Sequence, residues 1–174
     1  SLILLIQYLS DFTQSYRILR WIMGGLAGTV GFADACSLLP GVLLGCGILL
    51  FHARELNLLA CGGEIAAARG VAVDAVNRRL FFAASLAVGT VVSICGPIGF
   101  VGLMVPHMCR LAIGPDHHRL LPATWLFGGA FLIACDTAAR CIMPPTELPV
   151  GVLTAILGGP FFLALLLTRT IRAD

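Results

Sequence analysis

Between Ala35 and Thr168 the chain carries five apolar runs separated by short polar breaks: Ala35 to Phe51, Leu80 to Cys95, Ile98 to Ile113, Pro122 to Ile142 and Pro149 to Thr168. A helix needs about 20 apolar residues to cross the roughly 30 Å hydrocarbon core of a bilayer. The runs are near or slightly under that length, so some helices are expected to be short, tilted or shielded by neighbours. They lack period-2 alternation and are rich in Leu, Ala and Gly, which argues against strands. Only 11% of the residues are charged, where a soluble domain carries roughly 25%. So little charge cannot cover a water-facing surface. The expected fold is all-α, a polytopic transmembrane helical bundle of about five full spans.

The chain opens on "SLILLIQYL", an apolar run too short to span, with no Met and no signal-peptide n-region. It reads as the end of a preceding helix, and the chain as a fragment of a longer protein. The net charge of +2 gives no basis for a nucleic-acid partner; membrane lipid is the expected surround. All the basic residues are arginines. With the opening helix running outward and each later one alternating, Arg54, Arg69, Arg78, Arg79, Arg110, Arg119, Arg169 and Arg172 lie inside, and Arg17, Arg20 and Arg140 outside. Eight against three is a positive-inside bias.

Residues 107–119 gather His107, Arg110, Asp116, His117, His118 and Arg119. Adjacent histidines are not the H-x-x-x-H spacing that puts two ligands on one helix face, so no metal site is expected. The stretch reads as a solvated inner turn: Gly114 and Pro115 stop one helix and Pro122 sits at the start of the next. The seven cysteines form no CxxC pair and read as small apolar helix residues. Glycines at helical spacing (Gly96, Gly99 and Gly102, then Gly151, Gly158 and Gly159) mark close helix packing. No G-K-[ST] occurs, so the chain has no phosphate loop of its own.

The longest polar connection, His52 to Arg79, lies inside. "GGEIAAARG" reads as a short helix ended by Gly70, and "VDAVNRR" as a second, with Asp74 near its start and arginines near its end, as the helix dipole prefers. Such a segment suits docking of a soluble partner. On the outer side Asp136 and Arg140 stand four apart on one helix face. Pro144-Pro145 ends that helix, and Thr146 or Glu147 can cap the next.

Four stretches, "YRILRWIMGGLAG", "LNLLACGGEIAAARGV", "GPIGFVGLMVPHMCRLAIGPDHHRLLP" and "DTAARCIMPPTELPVGVLTAILGGPFFLALLLTR", closely resemble the permease subunits of the FecCD family, the membrane subunits of bacterial ABC importers for ferric siderophores, haem and cobalamin. The resemblance covers about the C-terminal half of a ten-helix subunit, so residues 1–174 would form the C-terminal part of one transmembrane domain in the bacterial cytoplasmic membrane. It implies a permease without enzymatic activity or cofactor, with ferric siderophore as the first expected cargo and cobalamin or haem as the alternative. The implied partners are ABC ATPase subunits, a periplasmic or lipid-anchored substrate-binding protein, and a second permease subunit in a homo- or heterodimer. It places ATPase coupling in residues 56–79, with Gly62, Gly63, Glu64, Gly70, Arg78 and Arg79 as the residues concerned. Arg140 would dock the binding protein, and Gly24, Gly25, Gly99, Gly102 and Gly151 would serve the pathway and helix packing. One departure stands out. With Gly62 and Gly70 aligned to the family's glycines, Gly63 falls at the usual acidic position and Glu64 one place later. Competing readings are an intramembrane enzyme, which the alternating topology disfavours because it separates the histidines from Asp136 and Arg140, and an inactive fragment of such a permease.

Overall fold

The computed structural model describes residues 12–26, 31–142 and 148–171. The opening apolar run, the Pro144-Pro145 stop, the Thr146 or Glu147 cap and Arg172 lie outside the described residues, as do residues 27 and 28 at the end of "YRILRWIMGGLAG". Among the described residues every regular element is a helix: α1 (Phe12–Ile22), α2 (Phe32–Phe51), α3 (Ala53–Ala60), α4 (Gly63–Ala68), α5 (Val73–Cys95), α6 (Val101–Ile113), α7 (His117–Ile142) and α8 (Val150–Ile171).

Four of these, α2, α5, α7 and α8, are long and apolar enough to cross a membrane. The third apolar run, Ile98 to Ile113, forms a shorter helix than expected. Gly96 has φ +72 and Phe100 is left-handed at φ +65, so residues 96–100 are irregular and α6 has 13 residues. At 1.5 Å per residue it is about 20 Å long, against a core of about 30 Å.

Two boundaries also differ from expectation. "VDAVNRR" is not a separate helix but the first two turns of α5, a 23-residue helix. No breaker stands between Asp74 and Leu80, so the helix runs unbroken from solvent into the apolar span. At α7 the helix starts five residues before Pro122, which lies inside it. The Asp116 carbonyl accepts from Arg119 and Leu120 N–H, and its carboxylate from His118 N–H. That is N-cap chemistry, and it overrides the proline as the start signal.

Helices α2 and α5 pack along their length. Their contact is made close by Gly41 and Gly45: a Cβ at Gly45 would collide with the Ala83 carbonyl oxygen and the Ala87 methyl, and one at Gly41 with the Thr90 side chain. This is small-residue packing at i, i+4, where backbones approach because neither helix carries bulk at the seam. Val105 and Cys109 of α6 and Leu120 of α7 form a buried cluster, backed by Val101 and Phe131. Most other apolar side chains face outward; Leu43, Leu44, Phe81, Phe82 and Leu126 are all exposed. An apolar surface of that extent belongs in lipid or against further protein, not in water.

Candidate functional site

The packed helices bring separate stretches of sequence together at each end of the bundle. One end holds α3, α4, the start of α5 and the α6–α7 turn. The other holds the end of α1, the α5–α6 connection and the start of α8.

At the first end, α3 continues α2 after a single residue. His52 is buried, its N–H donates to the Ile48 carbonyl, and its own carbonyl accepts from Leu56 N–H. Its ring Nδ1 meets the Ile48 carbonyl at 2.9 Å. Gly62 (φ +120) and Gly70 (φ +84) bracket α4, in backbone conformations that side-chain-bearing residues rarely adopt. The expected short helix therefore exists, with Gly63 as its first residue and Glu64 in its first turn. There the helix dipole favours an acid, so the one-place shift from the family pattern still leaves a carboxylate at the helix start. Ala66 anchors α4 and is fully buried, while Ile65 is exposed.

Between α3 and α5 lies a hollow of about 380 Å³ lined by Arg54, Glu55, Arg69, Gly70, Val76 and Arg79. One carboxylate oxygen of Glu55 is buried there without a hydrogen-bond partner among the described residues. A neighbouring groove of about 700 Å³ is lined by Ile48, His52, Ala75, Arg78, Arg79 and Phe82. Arg79 thus borders both, and Gly70, Arg78 and Arg79 of the expected coupling set stand at one surface.

The histidine-rich turn is not merely solvated, as expected, but locked to α3. The Asn57 Nδ2 donates to Asp116 Oδ1 at 2.7 Å. The Asn57 side-chain Oδ1 accepts the His117 backbone N–H at 2.8 Å and faces His117 Nδ1 at 2.6 Å. The carboxylate, which only accepts, fixes which way the amide points. The Asn57 amide, and next the His118 backbone N–H, hold the Asp116 carboxyl below the usual range. His107 lies elsewhere, edge-on to Phe161. Among the described residues no three His, Cys, Asp or Glu side chains stand together as a metal-ligand group.

At the opposite end the glycines divide. The Gly25 N–H donates to the Cys95 carbonyl at 2.9 Å, and the Gly151 N–H to the Gly24 carbonyl at 3.0 Å. The Trp21 indole donates to the Ser93 carbonyl at 3.3 Å. A Cβ at Gly24 would strike the Pro97 carbonyl, one at Gly96 the Trp21 carbonyl, and one at Gly151 the Met23 carbonyl. Three segments far apart in sequence cross here backbone on backbone. Gly99 and Gly102 do not take part: a Cβ at either would meet open space within the chain. The expected i, i+3, i+6 stripe from Gly96 fails because the three lie on a cap, a loop and the first turn of α6. On α7, Arg140 Nε donates to Asp136 Oδ2 at 2.8 Å, with Arg140 about half exposed and Asp136 less so.

Sequence reasoning missed Asn57, which carries no motif visible without its partners. It also passed over Gly41 and Gly45, whose G-x-x-x-G spacing was a readable signal.

The comparisons with known proteins agree with one another. A model described as the FecCD transport family matches residues 1–168. The cobalamin import system permease protein BtuC of Halobacterium salinarum is 50% identical over 153 residues, covering 88% of this chain and 41% of that protein. The hemin transport system permease protein HmuU of Yersinia pestis is 42% identical over 166 residues, 93% of this chain and 48% of that one. The Fe(3+) dicitrate transport system permease protein FecD of Escherichia coli is 44% identical over 148 residues, 85% and 46% respectively. The chain therefore spans about half the length of the curated relatives it matches. A solved structure described as an inward-facing metal-chelate type ABC transporter superposes with a TM-score of 0.85 at 34% identity, over 94% of this chain and 53% of that one.

Proposed function

The chain belongs to the FecCD transport family, and from that premise we propose that it is part of the membrane-spanning permease subunit of an ABC importer for metal chelates. The stretches that carry the family resemblance belong to the C-terminal half of such a subunit. It is a multi-pass membrane protein; we place it in the bacterial cytoplasmic membrane, with the arginine-rich end inside. The observation that carries this reading is the likeness along almost the whole chain, in sequence and in fold together.

In this reading the permease does no chemistry. ATP is hydrolysed by separate ATPase subunits docked at residues 56–79, and a second permease subunit completes the pathway. Two features support docking there: an exposed α4 held between two glycines, and the adjoining arginine-lined hollow. Gly24, Gly25 and Gly151 would set the outer ends of the helices that frame the pathway, and Gly99 and Gly102 would face the second subunit. A ferric chelate is the cargo we put first. A corrinoid or haem is the second reading, favoured by the 50% identity to a cobalamin permease.

Arg140 is the proposed docking point for the substrate-binding protein. Its bond to Asp136 fixes the guanidinium at the end of α7 and leaves it about half exposed. An exposed helical pair of this kind contributes only about 0.3–0.5 kcal/mol, whereas removing one partner of a desolvated interfacial pair costs about 2–5 kcal/mol. The test is uptake by the full-length subunit, reconstituted with its ATPase and binding protein, offered ferric siderophores, haem and cobalamin. Binding-protein-dependent accumulation of one of them is expected, and Arg140→Glu should weaken docking strongly while thermal stability stays nearly constant. No uptake of any chelate would sink the proposal; unchanged docking would remove Arg140 from the interface.

A further inference from the structure

We propose that Asn57 is a positioning residue of the transport cycle: with Asp116 and His117 it forms a clasp that passes movement of the docking segment into α7. This rests on the permease reading above.

The clasp is placed for that task. Helix α3 leads into α4 through Cys61 and Gly62, and three backbone bonds hold this turn: Cys61 N–H to the Leu58 carbonyl, Gly62 N–H to the Leu59 carbonyl, and Ala66 N–H back to the Gly62 carbonyl. A push on α4 is therefore passed to α3 through a short, bonded turn. From α3, the Asn57 amide is the polar link to α7, and it takes both of its partners at once, 2.7 Å to the Asp116 carboxylate and 2.8 Å from the His117 N–H. These two partners are the cap and first residue of a 26-residue helix. The amide thus grips the helix by its end, where tilt has the longest lever. Arg140, in the last turn of the same helix, lies about 36 Å away along the axis at 1.5 Å per residue.

The grip also falls at a compliant point. Pro122 has no N–H to give the His118 carbonyl, so the first turn of α7 lacks a bond that would tie it to the rest. An unclasped first turn could absorb a push by bending there. With Asn57 holding Asp116 and His117, the turn moves with α3 and carries the helix with it. The amide bridges the cap carboxylate and the first helical N–H, and it sits on the element next to the proposed ATPase contact.

The test uses the full-length transporter with its ATPase and binding protein in proteoliposomes, reading substrate accumulated per ATP hydrolysed alongside the thermal midpoint. Asn57→Leu is expected to lower that ratio at least about fivefold, the lower end of ordinary coupling effects, with the hydrolysis rate and midpoint near those of the unmodified protein. Asp116→Leu should lower the ratio likewise, with a lower midpoint because it also removes the cap of α7, and the ratio of the double variant should be no worse than that of either, because both remove one link. Asp116→Asn keeps an acceptor for the Asn57 amide and should retain most of the ratio. If Asn57→Leu fails to assemble, Asn57→Ser, too short to reach both partners, is read in its place. An unchanged ratio in Asn57→Leu or Asn57→Ser, or a loss that tracks the midpoint alone, would overturn the clasp while leaving the permease reading intact. A complete lack of uptake by the unmodified transporter would instead strike the permease reading, and the clasp with it.

Discussion

Single residues in this chain matter most where backbone meets backbone. Gly96 combines φ +72 with ψ 179, a region nearly reserved for glycine, and a Cβ there would run into the Trp21 carbonyl. Gly96→Ala should therefore destabilise the protein by about 2 kcal/mol or more. Gly102→Ala, which meets nothing within the chain, should stay within about 0.5 kcal/mol. Thermal unfolding of the two variants in detergent checks the contrast, and an equal loss in both would mean that the glycine crossing is not the tight point. Asp116 gives a pH dependence of definite sign. Its carboxyl is held low by Asn57 first and the His118 N–H second, so its folded-state pKa lies below its unfolded one. The stabilisation is complete above the unfolded value, near pH 4, and is lost as pH falls through the folded value. The midpoint difference between the unmodified protein and Asp116→Leu should shrink as the buffer is taken from about pH 5 to more acid values. A difference that grew on acidification would contradict the assignment.

Among the elements, α4 has the most exposed role for its size. Six residues make a helix too short to persist by itself, so its place depends on the flanking glycines and on buried Ala66. Gly70 stands at φ +84, and proline requires about −65°. Gly70→Pro must therefore redirect the chain between α4 and α5. Under the proposed function it should leave insertion and the long helices intact while uncoupling ATP hydrolysis from uptake. Helical content by circular dichroism, hydrolysis and uptake measured on one preparation check this; normal uptake would remove the segment from the coupling path. Element lengths carry a further lesson. Helix α5 extends two turns beyond its apolar run, so Arg78 and Arg79 ride on a spanning helix instead of a detached one. Under the proposed function, motion at residues 56–79 would have this helix as a second route into the bundle, beside the proposed Asn57 clasp.

At the scale of the whole molecule, the Asn57 contacts place the α3–α4 segment and the α6–α7 turn at one end, and the glycine crossing gathers the ends of α1, α5 and α8 at the other. This is the alternation that the arginine count anticipated, and under the proposed function the arginine-rich end is the inner one. Cysteines introduced singly at Asp74 and at Thr146, in a background stripped of the native cysteines, should react with an impermeant thiol reagent from opposite faces of the membrane. Labelling of both from one face would overturn the topology.

The membrane-spanning helical class and the family were legible in the sequence alone, because these depend on quantities summed along the chain: apolar length and long motifs. The existence of α4 and its closing glycine was also legible, since Gly70 ends an Ala-rich stretch by a local rule. Tertiary structure decided what depends on pairs distant in sequence. It shortened α6, because the crossing over Gly96 holds residues 96–100 out of helix. It selected Gly24, Gly96 and Gly151 over Gly99 and Gly102, because a glycine is needed where a second backbone passes, and spacing along one segment does not say where that is. It brought Asn57 to Asp116 across 59 residues of chain, a partnership that a lone amide in "LNLLA" could not announce. Local chemistry is written residue by residue, whereas a contact between two segments exists once the helices between them have packed.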